Sequence, residues 1–243
     1  MLEDLEPDVH FELLKDLKNT GKLQTLNGCS VETNMTLDSD GGAIANSAST
    51  NVLITDWNIP YRLFITQRTY QGVTYPKTDM TVMCRLKINR DELVSWLGNS
   101  VLQREGNGCV LGTMDANEFF GLVCYREEGE TGGVYDSLII KLGGRNSSTR
   151  KFVDMDKLQW DTWTHLAFTY RVSDNHVDCY VNGALVGSDT MPVCGNWEWR
   201  LRTASWVILT GNYHAENYPF YYKDIRIYNH LISREGIKHL YSH

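Results

Sequence analysis

An Asn-Gly pair between two alternating apolar runs restricts the fold of this chain more than any other feature. In the stretch VDCYVNGALVGS, Asn182 and Gly183 separate two segments of strand character. A type I′ turn needs positive φ at both of its central residues, which asparagine and glycine adopt most readily. The stretch therefore predicts a tight antiparallel hairpin.

Further alternating segments predict several more strands. In TVMCRLKI (81–88) the apolar residues fall on one face and Thr81, Arg85 and Lys87 fall on the other, which is typical of a half-buried strand. The same reading applies to five other segments: EFFGLVCY (118–125), SLIIKLGG (137–144), WTHLAFTY (163–170), WVILTG (206–211) and YYKDIRIY (221–228). Trp163 and Trp206 belong to such segments, so both are predicted to be core residues.

Two short helices are predicted. NRDELVSWLG (89–98) has an apolar side and a glycine stop. At the C-terminus, Ser233 can cap a helix and Glu235 suits its positive N-terminal end. Three residues of that helix share one face: Ile237, Leu240 and Tyr241.

The composition is that of an ordinary globular protein. The 243 residues are 42% hydrophobic and 22% charged, and a domain of this size buries a sizeable core without disulfides. The net charge is -7 and the 23 lysines and arginines form no basic run, which argues against a nucleic-acid partner. No segment has the roughly 18 consecutive apolar residues of a membrane span.

The N-terminus and the cysteines bear on the compartment in which the chain is made. MLEDLEPDVHFELLKDL is acidic and has no apolar core run, so no signal peptide is predicted. The six cysteines show no CxxC pair, and Cys84 and Cys179 lie in strand-like apolar runs. Free buried thiols in a protein made in a reducing cytoplasm are the simpler interpretation.

The domain organisation follows from the absence of repeats and of proline- or serine-rich linkers. Many closely spaced strands predict one all-β domain, a two-sheet antiparallel β-sandwich or jelly roll with a short C-terminal helix. We assign residues 9–243 to this domain and residues 1–8 to an N-terminal arm. The segment after position 8 fits either of two patterns: a strand with Val9, Phe11 and Leu13 on one face, or a helix with Phe11, Leu14 and Leu17.

Several segments carry a resemblance to a known family. The central hairpin of laminin G-like jelly rolls resembles DTWTHLAFTYRVSDNHVDCYVNGALVGS (161–188), and their closing strand and helix resemble YYKDIRIYNHLISREGIKHLY (221–241). Their opening strands are similar to FELLKDLKNTGKLQT (11–25) and MTLDSDGGAI (35–44). The resemblance is to the laminin G-like domains of the concanavalin A-like lectin/glucanase superfamily. It implies that the last strand pairs near the first and that the short helix lies against the edge of the sandwich.

The same resemblance implies a structural calcium ion near the N-terminal loop. In many relatives an acidic residue at the position of Asp224 helps to hold the ion. Asp16, Asn19 and the carbonyl of Gly21 would supply further oxygen ligands, which calcium prefers. Lys223 stands where the family often has a second acidic residue, and its charge repels calcium. The alternative is an Asp224 that is salt-bridged or caps a backbone group.

Catalysis is not predicted for this chain. The glycosidases of the superfamily use a Glu-x-Asp-x-x-Glu strand whose alternate carboxylates face one groove, and this string is absent here. Neither GxSxG nor HExxH occurs. The chain is predicted not to be an enzyme, and glycoside hydrolysis ranks third among its functions.

Aromatic residues near the C-terminus are the candidate ligand-binding residues, because aromatic faces stack on sugar rings and recur at interfaces. They belong to NWEWR (196–200) and GNYHAENYPFYY (211–222) and are Trp197, Trp199, Tyr213, His214 and Tyr218. The alternative is that these side chains fill the sandwich core or its edge.

Two functional hypotheses follow, since this fold serves binding, catalysis and architecture alike. The first is a non-enzymatic interaction or structural module of a larger assembly, specifically a bacteriophage virion protein of the capsid-decorating, head-fibre or tail type. Such a protein is made in a reducing cytoplasm, binds protein partners in the particle and is then displayed on the virion or cell exterior. The alternative is a carbohydrate-binding lectin module, with or without calcium, that uses the loop aromatics.

Overall fold

The computed structural model of the chain consists mainly of antiparallel strands. It describes residues 4–16, 18, 20–22, 30–33, 35–39, 41–45, 52–55, 68–70, 73–75, 79–89, 91–92, 107–115, 118–128, 134–144, 149–154, 159–190, 206–208 and 220–243. The described strands form an eight-stranded sheet, a seven-stranded sheet and a two-stranded ribbon. The predicted fold, a jelly-roll β-sandwich with a short C-terminal helix, is confirmed.

The elements follow one another along the chain as strands, with the helix last. In chain order the strands are β1 (Val9–Phe11), β2 (Ser30–Thr33), β3 (Met35–Leu37), β4 (Ala43–Ala45), β5 (Val52–Thr55), β6 (Arg68–Tyr70), β7 (Val73–Tyr75), β8 (Met80–Ile88), β9 (Asn107–Asp115), β10 (Glu118–Glu128), β11 (Val134–Gly144), β12 (Thr149–Asp154), β13 (Thr164–Arg171), β14 (His176–Val181), β15 (Ala184–Thr190), β16 (Trp206–Ile208) and β17 (Phe220–Tyr228). The helix α1 (Arg234–Ser242) follows β17. Helical backbone also begins at Asp91, where the amide of Glu92 donates to Asn89 Oδ1 at 3.0 Å, but the rest of the predicted 89–98 helix lies outside the described residues.

The two large sheets are both antiparallel, and each is built from a different set of strands. The eight-stranded sheet has the order β15-β14-β13-β8-β17-β4-β3, with β1 also paired to β17. The seven-stranded sheet has the order β12-β11-β10-β9-β16-β5-β2. Strand β1 pairs with β17 through Val9 opposite Ile227, which confirms that the last strand pairs with the first and resolves the N-terminal segment as a strand.

The Asn-Gly hairpin has the predicted turn. Asn182 and Gly183 have φ values of 49° and 73°, so both central residues adopt the positive φ of a type I′ turn. Asn182 also bonds to the neighbouring strand, since its amide donates to the carbonyl of His165 at 2.8 Å and its Oδ1 accepts from the amide of His165 at 2.9 Å. The turn therefore sets the register of three strands, β13, β14 and β15.

The core lies on the inner face of the eight-stranded sheet. Its described members are almost fully buried, and they include Val9, Phe11, Val82, Cys84, Leu86, Leu166, Phe168, Val177, Cys179, Ile225 and Ile227. Cys84 and Cys179 are free thiols, as predicted, and burial raises the pKa of both, that of Cys179 to about 12. Both thiols therefore stay protonated and pack as small apolar groups.

The outer face of this sheet is also apolar over much of its area, which corrects two predictions. The half-buried pattern predicted for 81–88 is wrong in its first half, because Thr81 and Met83 on the outer face are 0% and 1% exposed. Helix α1 covers Met83, because its Ile237 and Leu240 pack in one cluster with outer-face residues of four strands, namely Met83, Ala167, Tyr180 and Tyr228. Thr81 contacts the segment before the helix, since its Oγ1 donates to the carbonyl of His230 and accepts from the amide of Ile232, both at 2.9 Å. The helix thus lies on a sheet face and not against a sheet edge.

Helix α1 begins as the sequence predicts. Ser233 has extended backbone, and its Oγ accepts a hydrogen bond from the amide of Gly236 at 3.0 Å. Glu235 lies in the first turn, where its charge suits the helix N-terminus. No helix among the described residues has the length and hydropathy required to cross a membrane.

Residues 4–8 of the predicted N-terminal arm lie along the end of the closing strand. The amide of Asp8 donates to the carbonyl of Ile227 at 2.9 Å, and its carboxylate accepts from the amide of Asn229 at 2.8 Å. Asp4 pairs with Lys22 at 2.7 Å. These contacts hold the segment on the sandwich, and the boundary drawn at Val9 stays a prediction.

Candidate binding surface on the outer sheet face

The five aromatic and histidine residues predicted to bind ligand lie outside the described residues. They are Trp197, Trp199, Tyr213, His214 and Tyr218, and their role stays a prediction. The described part of the chain offers a different candidate on the outer face of the eight-stranded sheet, beside the area that helix α1 covers.

This candidate surface, called the Trp163 shelf below, consists of Trp163, Lys87, Tyr221 and Lys223. Tyr221 pairs with Lys87, and Lys223 pairs with Arg85, so these side chains belong to two adjacent rows of β8 and β17. Trp163 immediately precedes Thr164, which pairs with Leu86, and this register places the indole next to Lys87. All four members of the shelf are half-buried.

The Trp163 ring packs against a glycine of the β3–β4 turn. A Cβ atom added to Gly42 would lie 2.5 Å from Cη2 of Trp163, so only glycine leaves room for the ring. Gly42 also has a φ of 105°, which side chains rarely adopt. The prediction that Trp163 is a core residue is therefore wrong, because its position just before β13 sends the side chain to the outer face.

Two lysines lie against the aromatic rings of the shelf. The Nζ atom of Lys223 is 4.2 Å from the centroid of the Trp163 ring, and that of Lys87 is 5.4 Å from it. Lys87 Nζ is also 4.5 Å from the ring centroid of Tyr221. Burial lowers the pKa of Lys223, and the nearby positive charge of Arg85 lowers it further. The shelf is therefore an aromatic surface with a concentrated positive charge.

A bulge in β17 places Asp224 beside this shelf. The register with β8 shifts between Lys223 and Arg226, and Asp224 has a φ of 50°. A bulge adds a residue to one strand and re-aims the side chains around it. Lys223 and Asp224, although consecutive, therefore both make contacts on the outer face.

Asp224 is salt-bridged, which is one of the two alternatives that the sequence left open. Its Oδ1 lies 2.6 Å from Arg226 Nε and 3.0 Å from His10 Nε2, and its Oδ2 lies 3.6 Å from Arg85 Nε. Burial alone would raise the pKa of this carboxyl, but the hydrogen bond from His10 and the charge of Arg226 outweigh it and lower the pKa to about 2.

The remaining predicted calcium ligands lie on the N-terminal loop. Asp16 is exposed, and its Oδ1 accepts from the amide of Lys18 at 3.1 Å. Gly21 is buried against the backbone of Asp8 and Val9, where an added Cβ would lie within 2.7 Å of both. Asn19 lies outside the described residues. Within the described part of the chain, no three histidine, cysteine or acidic side chains converge in a way that suits a metal ion.

The calcium site stays untested, and the ion pairs of Asp224 with two arginines argue against it. A calcium ion there would have to displace an arginine from a carboxylate oxygen and would meet the charge of the other arginine. We therefore expect the melting temperature to be the same in calcium and in EDTA. A rise in calcium that Asp224→Asn abolishes would establish the site instead.

The border between the shelf and helix α1 contains a buried histidine. His165 is 1% exposed, and its ring centroid lies 5.8 Å from that of Tyr241 on the helix. Burial lowers the pKa of His165 to about 4, with Arg85 adding to the effect, so the imidazole is neutral near pH 7. Arg85 also joins the two areas, because its Nη2 donates to the carbonyl of Tyr241 at 2.8 Å.

Sequence reasoning missed the shelf, although its parts were visible. Alternation already placed Lys87 on a polar face, and Tyr221 and Lys223 share a face by the same count. What was missing is that β8 lies between β13 and β17 in the sheet. Without that order, nothing in the chain brings Trp163 to Lys87, 76 positions before it, and to Tyr221 and Lys223, 58 and 60 positions after it.

Comparisons with known proteins agree with this architecture. Residues 101–238, more than half of the 243-residue chain, match the laminin G family described as the Concanavalin A-like lectin/glucanases superfamily. Domain 4 of AbnA, a GH43 extracellular arabinanase from Geobacillus stearothermophilus, was solved in complex with arabinotriose. It is 15% identical with a TM-score of 0.58, over 97% of this chain and 98% of that chain.

Toxin binding domains are similar over half of their length. The receptor binding domain of botulinum neurotoxin D is 18% identical with a TM-score of 0.57, and the match covers 98% of this chain and 52% of that chain. The serotype D ligand binding domain in complex with N-acetylneuraminic acid is 15% identical with a TM-score of 0.55, over 98% of this chain and 51% of that one. This chain thus spans about half the length of the toxin domains that it matches. No curated protein sequence matches it.

At these identities the structural matches show the fold, and the family match covers both the Asn-Gly hairpin and the closing strand. The chain belongs to the concanavalin A-like lectin/glucanases superfamily.

Proposed function

We propose that this domain is a non-catalytic, carbohydrate-binding module that stacks a sugar ring on the Trp163 shelf. The observation that carries the proposal is the position of the Trp163 ring, which lies on the outer sheet face in a space that Gly42 leaves open. A half-buried indole on a sheet face offers an aromatic ring to a ligand once the flexible side chain of Lys223, 4.2 Å from the ring centroid, moves aside. Ordering the indole on binding costs little, because it is already fixed.

Polar groups around the ring suit the hydroxyl groups of a sugar. The hydroxyl of Tyr221 donates to the carboxylate of Glu92 at 3.3 Å, which holds an acceptor beside the shelf. Lys87 and Lys223 supply donors on either row of the shelf. An aromatic face combined with a few oriented polar groups is the usual composition of a small-ligand site.

The comparisons support a binding role over catalysis. The similar domain of the arabinanase was solved with arabinotriose, and a similar toxin domain was solved with N-acetylneuraminic acid. On the described face, Asp224 has a pKa of about 2 and three basic partners, so it stays ionised and does not serve as a general acid. Retaining and inverting glycosidases both require a second, protonated carboxyl group.

Replacing Trp163 tests the proposal directly. A glycan array with the unmodified protein identifies ligands, and Trp163→Ala should then weaken their binding about tenfold or more, as expected for the loss of a stacking surface worth about 1.4 kcal/mol. Trp163→Tyr keeps an aromatic face and should retain most of the affinity. Thermal unfolding of both variants checks that the fold is intact. Glycan binding that is equally strong in a folded Trp163→Ala variant would rule out this surface.

The hypothesis of a bacteriophage virion protein with protein partners in the particle remains part of the proposal, as the setting in which the module works. A domain displayed on a virion and a domain that binds glycans are compatible, since adhesion to a host surface needs both. The loop residues Tyr213, His214 and Tyr218, with Trp197 and Trp199, would extend the same binding function. Absence of the protein from purified particles of the phage that encodes it would remove the virion setting and leave glycan binding standing.

A further inference from the structure

The charges on the Trp163 shelf are out of balance. Among the described residues, no carboxylate lies within ion-pair distance of Lys87 or Lys223, whereas Asp224 is shared by Arg85, Arg226 and His10. Two unpaired ammonium groups therefore meet on one aromatic surface of a protein whose net charge is -7. Like charges this close repel each other unless an anion joins them.

The positions of the two lysines are set by the rings beneath them. Cation–π contact with Trp163 places Lys223 and Lys87 within 5.4 Å of one ring centroid, so both charges are close to the stacking surface before any ligand arrives. Crowding by Arg85 and by Lys87 helps to lower the pKa of Lys223, although burial contributes most. One lysine is enough for a cation–π contact with the Trp163 ring. The second ammonium group adds charge repulsion without forming an ion pair.

A bound anion would remove this repulsion and use both ammonium groups as charged hydrogen-bond donors. Under the proposed function the ligand also stacks on Trp163, which requires Lys223, 4.2 Å from the ring centroid, to move off the ring and leaves its ammonium group free to bind the anion. A free inorganic anion meets the first condition alone, and a neutral sugar meets the second alone. A sugar with an acidic substituent meets both.

We propose that the Trp163 shelf selects glycans that carry a carboxylate or sulfate group, which Lys87 and Lys223 bind while the sugar ring stacks on Trp163. This inference rests on the proposed function and adds the ligand class to it. Lysine is a compact charge without the planar fork of arginine, so the shelf does not discriminate between a planar carboxylate and a tetrahedral sulfate by geometry. Uronic acids, sialic acids and sulfated sugars are therefore all within the class.

The test compares matched glycan pairs that differ only in the acidic group. Immobilised sialyllactose is compared with lactose, a glucuronate-terminated glycan with its glucose counterpart, and a galactose sulfate glycan with its galactose counterpart. We expect the acidic member to bind about tenfold more tightly in at least one pair. The preference should weaken as salt rises, because ionic screening shortens the range of the charge interaction.

Substitution of the lysines assigns the preference to the shelf. In the double variant Lys87→Gln, Lys223→Gln the acidic and neutral members of each pair should bind with nearly equal affinity, whatever the change in the affinity for the neutral member. Lys238→Gln, which removes the same charge from the exposed surface of helix α1, serves as the matched control and should keep the preference. The conservative variant Lys223→Arg keeps the charge and should retain it as well.

The outcomes separate this inference from the proposed function. If Trp163→Ala abolishes binding but acidic and neutral members bind equally to the unmodified protein, glycan binding stands and the acidic class is overturned. An acidic preference that survives in the double lysine variant overturns the assignment to Lys87 and Lys223. If no glycan binds, or if Trp163→Ala leaves binding unchanged, the proposed function of the shelf fails and the inference fails with it.

Discussion

Asp224→Asn is expected to lower the free energy of unfolding by about 2 kcal/mol at neutral pH, one of the two largest effects that the structure predicts. The pKa of Asp224 falls from 3.8 to about 2 on folding, which means that the folded state favours the charged carboxylate. Removing the charge leaves Arg85 and Arg226, which are 20% and 17% exposed, without their counter-ion. Asparagine tolerates the positive φ at this bulge, so the variant isolates the loss of charge.

Urea denaturation of the variant and of a control measures this effect. Asp174→Asn removes a carboxylate that makes two hydrogen bonds of 2.9 Å to Arg171, but both side chains are largely exposed, and stability should hardly change. Asp224→Ala should cost about 1 kcal/mol more than Asp224→Asn, because alanine adopts positive φ less easily. In the double variant Asp224→Asn, Arg226→Met the losses should be less than additive. Equal stability of the Asp224 and Asp174 variants would contradict the central role given to this group.

The same group predicts how stability responds to strong acid. A carboxyl whose pKa is lowered on folding stabilises the native state fully above the unfolded pKa of 3.8. That contribution is lost as the pH falls from 3.8 through about 2, where the native carboxyl takes up its proton.

His165 predicts a second pH dependence at higher pH, and its expected size is about 3 kcal/mol at most. Folding lowers its pKa from 6.5 to about 4, because the ring is buried next to Arg85. Between these two pH values His165 binds a proton in the unfolded chain but not in the native state. Its contribution to the free energy of unfolding is therefore fully present above pH 6.5 and is lost as the pH falls toward 4. The described structure leaves Nδ1 of His165 without a hydrogen-bond partner, and a proton there would be buried uncompensated.

Unfolding measured by urea at a series of pH values tests this expectation. His165→Phe keeps a ring against Tyr241 and has no titrating group, so the slope between pH 6.5 and 4 should become shallower whatever the absolute stability of the variant. The control His239→Gln, at an exposed helix position, should keep the slope. Titration of the His165 ring by NMR should show a midpoint of about 4, and a midpoint near 6.5 would contradict the burial argument.

The two-sided burial of the eight-stranded sheet explains why these charged groups matter. Helix α1 covers one part of the outer face with Ile237 and Leu240, and the Trp163 shelf occupies another. Arg85 bonds to the end of the helix, pairs with Asp224 and lies in the row of Lys223, so it touches the helix, the bulge and the shelf. Loss of Asp224 is therefore expected to affect both stability and the charge that the shelf presents to a ligand.

Much of the fold was predictable because β-strands and turns have local signatures. The period of two in 81–88, 163–170 and 221–228 predicts strands, and the Asn-Gly pair needs no distant partner to form its turn. Ser233 likewise caps helix α1 through a contact only three residues away. These elements depend on neighbours in the chain, which is why their positions were predicted correctly.

The candidate site was not predictable in this way. Alternation separates the two faces of a strand, but it does not say which strands are neighbours or what covers each face. Asp224 reads from the sequence as a calcium ligand or as a salt-bridged residue, and the choice depends on His10 and Arg85, which the sheet order brings to it from distant parts of the chain. The bulge matters equally, because one added residue reverses the alternation along β17.

The sequence by itself thus determined the antiparallel strands, the Asn182–Gly183 turn, the capped C-terminal helix and the family, because each depends on local patterns of side chains along the chain. Only the tertiary structure decided that the helix lies on a sheet face, that Trp163 leaves the core, and that Lys87, Tyr221 and Lys223 meet beside it. The physical reason is that burial and charge depend on neighbours across the sheet, and the order of the strands sets those neighbours.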